Sequence, residues 1–194
     1  MVSLGCAVAV SWPGLAAAAI PPPSLVAHPD DLPGFAAAKI KLRSATSATR
    51  YVKVVLGESG REGRNEVAKL KHKGFQEGVQ ELLPSRQGEA LSLALVFGSA
   101  RAAKQELKTS ISEGLKAQRK VVIKRFTVAA IPGSFGFSAF EAGHSGGAAN
   151  VLFSTGRCFL LIGNSLHTST QEQLSVAPIA GATAVYQRVK SLCA

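Results

Sequence analysis

The sequence has few of the residues from which chemical sites are built. It contains three cysteines and four histidines among its 194 residues, and no aspartate follows Asp31. No Cys-x-x-Cys pair is present, and the histidines at positions 28, 72, 144 and 167 stand singly, which excludes the usual zinc sites. Phosphate-binding Gly-rich loops and dinucleotide-binding glycine motifs are also missing from the sequence. We therefore predict no metal, no cofactor and no catalytic residues, which favours a non-enzymatic protein.

The amino-terminal region has no lysine or arginine before Lys39. Residues 1–19 are uncharged and Ala-rich, and Ile20-Pro21-Pro22-Pro23 follows at once. Small residues at the end of an apolar segment suit a signal-peptidase site, and the prolines beyond it keep the chain extended. We predict a signal peptide over 1–19, a Pro-rich linker over 20–34 and an extracytoplasmic protein, either secreted or associated with the envelope.

This leader also admits other interpretations. Signal peptides normally open with Lys or Arg, so a start codon farther upstream would complete this one. The alternative is a disordered Ala/Pro leader on a cytosolic domain. Ser3-Leu4-Gly5-Cys6 ends like a lipoprotein box, but the apolar stretch follows Cys6 instead of preceding it. A membrane-spanning helix needs about 20 unbroken apolar residues, and Ser11, Pro13 and Gly14 interrupt this segment, so we predict no transmembrane helix in the mature chain.

Residues 35–194 have a normal length for one domain, and we predict a single α+β domain there. Once the leader is removed, Cys158 and Cys193 are an even pair in a chain that meets an oxidising compartment. We predict a disulfide between them that ties a late strand to the last helix. The alternative is two buried free thiols.

The formal net charge is +10 and is unevenly distributed. Residues 39–73 contain ten basic and three acidic residues. This asymmetry attracts anionic partners such as envelope components, whereas nucleic acid is disfavoured because Tyr51 is the only aromatic residue interleaved with the basic segments before Phe75. The candidate basic face consists of Lys39, Lys41, Arg43, Lys69, Lys71 and Lys73. The alternative is a solvated basic face without a specific partner.

Hydrophobic periodicity predicts the order strand, one or two helices, two strands, helix, four strands, helix. In the predicted strands, large apolar residues occupy every second position, most clearly over 91–97. In the helix predicted after Ser99, an apolar residue recurs at every fourth position and forms one stripe: Ala103, Leu107, Ile111 and Leu115. Strands are expected at 39–43, 79–83, 91–97, 121–131, 137–141, 149–154 and 157–163, and helices at 47–57, 62–73, after Ser99 and from Pro178. This order predicts an α+β fold with a mainly antiparallel sheet flanked by helices, an α/β/α-like sandwich.

The segment Gly143-His144-Ser145-Gly146-Gly147 matches the Gly-x-Ser-x-Gly motif of serine hydrolases. That motif needs a helix directly after the serine, whereas the residues here lead into a predicted strand. An acid and then a histidine should also follow the serine, yet Glu172 comes after His167. A serine hydrolase that uses Ser145 is therefore an unfavoured alternative.

Four phrases spread over the mature chain carry a family resemblance: Leu32-Pro33-Gly34-Phe35, 73–79, Ile131-Pro132-Gly133 and Asn150-Val151-Leu152-Phe153. Together they resemble small exported actinobacterial proteins of unknown function, and the element order is similar to the PsbP/Mog1 type of sandwich. The resemblance implies a binding domain. We therefore expect an exported non-enzymatic domain that binds a small apolar ligand or an anionic envelope component. A structural or regulatory partner of another envelope protein is the alternative.

Overall fold

The computed structural model describes residues 21–35, 40–117, 122–140, 146–168 and 170–194. The predicted signal peptide, Lys39 and Ser145 lie outside these ranges. The strands are β1 (Lys41–Ala45), β2 (Phe75–Ser85), β3 (Gly88–Phe97), β4 (Val122–Phe126), β5 (Phe135–Phe140), β6 (Gly147–Thr155) and β7 (Cys158–Leu166). The α-helices are α1 (Ala48–Arg50), α2 (Gly60–His72), α3 (Ala100–Ala117) and α4 (Gln171–Val189), and a π-helix (Tyr51–Leu56) continues α1.

The strands form one antiparallel sheet in the order β1-β2-β3-β7-β6-β5-β4. Strands that follow each other as hairpins are neighbours, and β3 meets β7 at the centre of the sheet. The π-helix, α2 and α3 pack on one face, which we call the α3 face, and α4 packs on the other, the α4 face. The predicted α+β sandwich with a mainly antiparallel sheet is confirmed.

Alternating residues of each central strand supply the two core layers. In β3, Leu93 and Leu95 point to the α3 face, whereas Ala94 and Val96 point to the α4 face. Strand β7 follows the same rule, with Phe159 on the first face and Leu160 on the second. Both faces of the central strands are therefore apolar, because helices cover both.

Polar caps and glycines fix the predicted helix ends. The Oγ of Ser47 accepts from Arg50 N at 3.3 Å and the Oγ of Ser99 accepts from Ala102 N at 3.3 Å, so each serine caps the helix that follows it. Gly57 ends the π-helix with a φ of 72°, a left-handed conformation that favours glycine. The predicted helices at 47–57 and 62–73 and the helix after Ser99 are thus present in the structure.

The last helix begins earlier than predicted. Instead of opening at Pro178, α4 starts at Gln171, and Thr170 and Gln173 form a reciprocal capping box. Pro178 lies inside the helix and removes one backbone donor. The neighbouring Leu174 and Ala177 are buried against the sheet, and this packing outweighs the lost hydrogen bond.

Two local predictions also need correction. The long strand expected over 121–131 ends at Phe126, because a turn follows in which Val128 N donates to Ser134 Oγ at 2.9 Å. The β6–β7 hairpin turns through Gly156 and Arg157, since Thr155 pairs with Cys158. Gly156 takes the positive φ of 47° that such a turn requires.

The Pro-rich segment over 21–35 is packed into the core and is not a flexible linker. Leu25, Val26 and Ala27 are fully buried on the α4 face, as are Leu32 and Phe35. Two 3-10 turns, Pro22–Leu25 and Pro29–Asp31, shape this segment. Apolar residues between the prolines thus cover part of the sheet that α4 leaves open, and we call residues 21–35 the strap.

The predicted disulfide between Cys158 and Cys193 is present. It joins the first residue of β7 to the segment after α4, with the two Cα atoms 5.6 Å apart. The backbone supports the same connection, because Arg157 N donates to the carbonyl oxygen of Cys193 at 2.8 Å. The end of α4 is therefore held to the sheet by both a covalent and a hydrogen bond.

Candidate functional site

An open groove of about 520 Å³ lies on the α3 face, at the end of the sheet formed by the β2–β3 hairpin. Its floor consists of two rows of side chains that cross β2, β3, β7 and β6. The first row is Leu82, Leu91, Gly163 and Asn150, and the second is Pro84, Glu89, Ser165 and Ala148. Each residue in a row pairs directly with the next, so the rows run perpendicular to the strands.

The groove lies in a part of the sheet that α3 leaves open, although α3 reaches the same row at β5, where Phe137 pairs with Asn150 and lies beside Gly114. In the adjacent row, Leu93 and Leu161 are half-buried and pack against the core that contains α3, and Leu152 is buried. Leu82 and Leu91 continue the same apolar alternation and are also half-buried, but they do not pack against that core and instead line the groove. Sheet surface with core-like residues is thus left partly open to solvent.

Gly163 deepens the centre of the floor. A Cβ atom at this position would overlap with Oδ1 of Asn150, so the carboxamide of Asn150 lies over the bare backbone of Gly163. The glycine thereby allows a polar side chain to reach the middle of the groove. A glycine within a strand often marks a position where another group approaches the backbone closely, and here that group is the carboxamide of Asn150.

The rim is polar and is closed at one end by a backbone contact. Ser165 and His167 line the side formed by the end of β7, and Glu89 lines the hairpin side. His167 N donates to the carbonyl oxygen of Gln87 at 2.9 Å, which joins the end of β7 to the β2–β3 turn. The apolar part of the floor, Leu82 and Leu91, thus lies beside polar groups of the second row and the rim, and apolar surface with a few polar groups is the usual composition of a small-molecule site.

The described residues of the candidate basic face lie on two neighbouring parts of the fold. Lys41 and Arg43 lie on the edge strand β1, whereas Lys69 and Lys71 lie on α2, and the π-helix packs between these two elements. Arg43 donates to the carbonyl oxygen of Val54 in the π-helix at 3.4 Å. The described members of this set thus lie on separate elements, and Lys39 lies outside the described residues, so the candidate basic face stays a prediction.

Two of these lysines are engaged in ion pairs. Lys73 Nζ lies 2.6 Å from Glu106 Oε2 and is largely buried between α2 and α3. Lys69 Nζ lies 3.3 Å from Glu66 Oε2, and the hydrogen bond and charge of Glu66 raise the pKa of Lys69. Lys73, directly after α2, thus helps to hold α2 against α3, whereas the pair of Lys69 with Glu66 lies within α2.

A second group of charges is buried on the α4 face, away from the groove. Glu81 of β2 is 1% exposed, and Arg188 of α4 pairs with Asp31 of the strap at 2.9 Å. Burial raises the pKa of Glu81 to about 6; the charge of Asp31 adds to this rise, and Arg188 opposes it. Burial also acts to raise the pKa of Asp31, but hydrogen bonds from Arg188 and from His28 N, with the charges of both residues, lower it below its usual value.

Other site types receive no support from the described ranges. These ranges contain no group of three or more His, Cys, Asp or Glu side chains that can hold a metal ion. Within them, none of the helices has the length and hydrophobicity to cross a membrane. The geometry of the Ser145 motif stays untested because residues 141–145 lie outside the described chain.

Comparison with known proteins gives a fold relationship. No protein-family model and no curated protein matches this chain. Among solved structures, the extracellular domain of PknH from Mycobacterium tuberculosis is similar, with 9% sequence identity, a TM-score of 0.54, and coverage of 87% of this chain and 94% of that one. The two chains share a fold. At this identity the likeness concerns the fold alone, and ligands and residue roles do not follow from it.

Sequence reasoning did not identify the groove residues. The alternation in 91–97 correctly predicted a strand, but it assigned Leu91 the same role as Leu93 and Leu95. Gly163 and Asn150 have no motif in the sequence, because their relation depends on the pairing of β6 with β7.

Proposed function

We propose that this protein is an exported, non-enzymatic domain that binds a small apolar molecule in the groove on the α3 face. The observation that carries the proposal is the pair Leu82 and Leu91, which are core-type residues in register on neighbouring strands and half-exposed at the floor of the groove. A ligand that covers them removes apolar surface from water, which is worth about 25 cal/mol per Å².

The size and lining of the groove support this proposal. Its volume of about 520 Å³ lies within the range of roughly 300–1,000 Å³ that is typical of small-molecule sites. The groove spans four strands of the sheet, so its floor is rigid and already formed before a ligand arrives. A preformed apolar floor binds without the cost of ordering mobile side chains.

Two features support export. The disulfide between Cys158 and Cys193 is typical of proteins that fold in an oxidising compartment. The uncharged Ala-rich stretch over 1–19, which ends in small residues, has the composition of a signal peptide.

The test is saturable binding of a neutral apolar fluorophore, N-phenyl-1-naphthylamine, to the purified protein. We expect Leu91→Gln to weaken binding about tenfold, because the polar side chain removes apolar area from the floor. The matched control is Val54→Gln, which changes an apolar residue that is 45% exposed on the π-helix, outside the groove. Thermal unfolding of both variants checks that they fold.

The groove is not the site if both variants bind the fluorophore as the wild type does, or if the wild type shows no saturable binding. A co-purified molecule, detected by native mass spectrometry of the protein from its own host, identifies the natural ligand. Its displacement by N-phenyl-1-naphthylamine would place it in the same groove.

A further inference from the structure

The surroundings of the groove floor are electrically asymmetric. Lys41 of β1 pairs directly with Leu82, so the first row continues past the groove edge to an exposed lysine on the same face. Directly paired residues have Cβ atoms about 5 Å apart, which brings the Lys41 side chain beside the apolar floor. Within the described chain Lys41 makes no ion pair.

The opposite end of the first row is neutral. Asn150 ends the groove on β6, and its Oδ1 atom lies over Gly163. The acidic residue of the groove, Glu89, lies in the second row on β3. A negatively charged group is therefore attracted to the β1 end and repelled by the centre of the second row.

The dimensions of the floor fit one extended alkyl chain. Three strand spacings separate Lys41 from Gly163, over which the carboxamide of Asn150 lies, and this distance is roughly 14–15 Å at about 4.8 Å per spacing. An extended chain advances about 1.3 Å per carbon, given C–C bonds of about 1.5 Å, so about 11 carbons span this distance. The second row lies about 7 Å farther along the strands and carries Glu89 and Ser165, so the chain follows the first row.

We propose that the groove takes a single-chain anionic amphiphile, with its acidic head beside Lys41 and its chain lying across β2, β3 and β7 towards Asn150. This inference rests on the proposed function and adds the charge, the orientation and the length of the ligand. Both parts of the ligand are accommodated at once. The charged head stays hydrated beside Lys41, while the apolar chain is removed from water along the row.

The experiment measures binding of dodecanoate to the full protein by isothermal titration calorimetry at low ionic strength, below micelle formation. Octanoate and tetradecanoate vary the chain, and dodecyltrimethylammonium reverses the charge of the head. We expect dodecanoate to bind on the order of tenfold more tightly than octanoate, because its four additional methylenes lie on the floor. Tetradecanoate gains less than threefold over dodecanoate, because its end passes the apolar floor at Asn150.

The variants are Lys41→Glu and the matched control Lys71→Glu, an exposed lysine on α2 that changes the net charge equally. We expect Lys41→Glu to weaken dodecanoate binding about tenfold. The variant also binds dodecyltrimethylammonium more tightly, relative to dodecanoate, than the wild type does. Lys71→Glu changes dodecanoate binding less than twofold. Unchanged unfolding temperatures confirm that both variants are folded.

The inference is overturned if dodecanoate and dodecyltrimethylammonium bind equally, if Lys41→Glu and Lys71→Glu have the same effect, or if affinity rises steadily through tetradecanoate. In each of these cases, binding of N-phenyl-1-naphthylamine that Leu91→Gln weakens still supports the proposed function. Failure of both the neutral and the anionic ligands to bind overturns both proposals.

Discussion

Arg188, near the end of α4, donates from Nη2 to Asp31 Oδ2 at 2.9 Å and to the carbonyl oxygen of Val26 at 2.7 Å. One guanidinium group therefore holds two points of the strap, and a further hydrogen bond from Ala27 N to Ser92 Oγ at 2.8 Å attaches the strap to β3. The strap belongs to the folded core and not to the signal peptide predicted over 1–19.

Replacing Arg188 tests how much this attachment contributes to stability. Arg188→Met keeps much of the side-chain length but leaves the carboxylate of Asp31 and the carbonyl of Val26 without their donor. We expect a loss of about 2 kcal/mol in the free energy of unfolding, measured by urea denaturation, since the pair is only partly exposed. Arg61→Met, at an exposed arginine of α2, is the control. Equal losses in the two variants would mean that the strap is held by its apolar residues alone.

Glu81 makes stability depend on pH in a defined window. Its pKa is raised by burial to about 6 from an ordinary value of 4.5, so the folded state binds a proton more tightly than the unfolded state. Stability therefore falls as the pH rises from about 4.5 to 6, by at most about 2 kcal/mol. Glu81→Gln removes this dependence and is more stable than the wild type above pH 6.

Denaturation midpoints measured between pH 4 and 8 test this expectation, with Glu89→Gln, at an exposed glutamate, as the control. Burial also raises the pKa of Glu77, which adds a smaller trend of the same sign that Glu81→Gln leaves in place. The lowered pKa of Asp31 acts in the opposite direction, because its stabilising pair is lost as the pH falls below about 3.8. A wild-type midpoint that is flat between pH 4.5 and 6 would contradict a buried ionising Glu81.

Much of the fold follows from local patterns that the sequence displays. The alternation over 91–97 predicts a strand, and the apolar stripe at every fourth residue of α3 predicts a helix. Each pattern depends only on the spacing of apolar residues within one short segment. The pairing of Cys158 with Cys193 was equally accessible, since only two cysteines follow the leader. The early start of α4 was also available in principle, as Thr170 and Gln173 have the spacing of a capping box.

The strap and the groove depend on contacts between distant residues. Arg188 lies 157 residues from Asp31, and the prolines of the strap suggested a linker although Leu25 and Phe35 are core residues. The groove depends on which part of the sheet α3 covers, and that is set by packing and not by the sequence of either element. Leu91 therefore has the same local pattern as Leu93, but Leu93 packs against the core and Leu91 lines the groove.

Gly78 tests the packing of the π-helix on the α3 face. The ring of Tyr51 lies against the bare backbone of Gly78, and its centroid is 5.3 Å from that of Phe75. Because Tyr51 is buried and cannot move freely, Gly78→Ala is expected to destabilise the protein by about 1–3 kcal/mol in urea denaturation.

Gly98→Ala is the matched control, because its added Cβ meets no atom closer than 3.7 Å and neither glycine has a positive φ. We expect that control to change stability by less than about 0.5 kcal/mol. Comparable losses in both variants would show that the effect comes from the glycine backbone and not from contact with Tyr51.

The disulfide is expected to be a major part of the stability of the fold. It closes a loop of 35 residues that contains β7 and α4, and the chain-entropy model assigns about 3–4 kcal/mol to such a loop. Reducing the wild-type protein lowers its free energy of unfolding in urea by this amount, whereas the double variant Cys158→Ala/Cys193→Ala does not respond to reductant. The difference between the reduced wild type and the double variant then measures the packing of the two sulfur atoms, which are fully buried. A wild-type midpoint that is unchanged by complete reduction would mean that the hydrogen bond from Arg157 to Cys193 and the apolar contacts of α4 already hold the end of the chain.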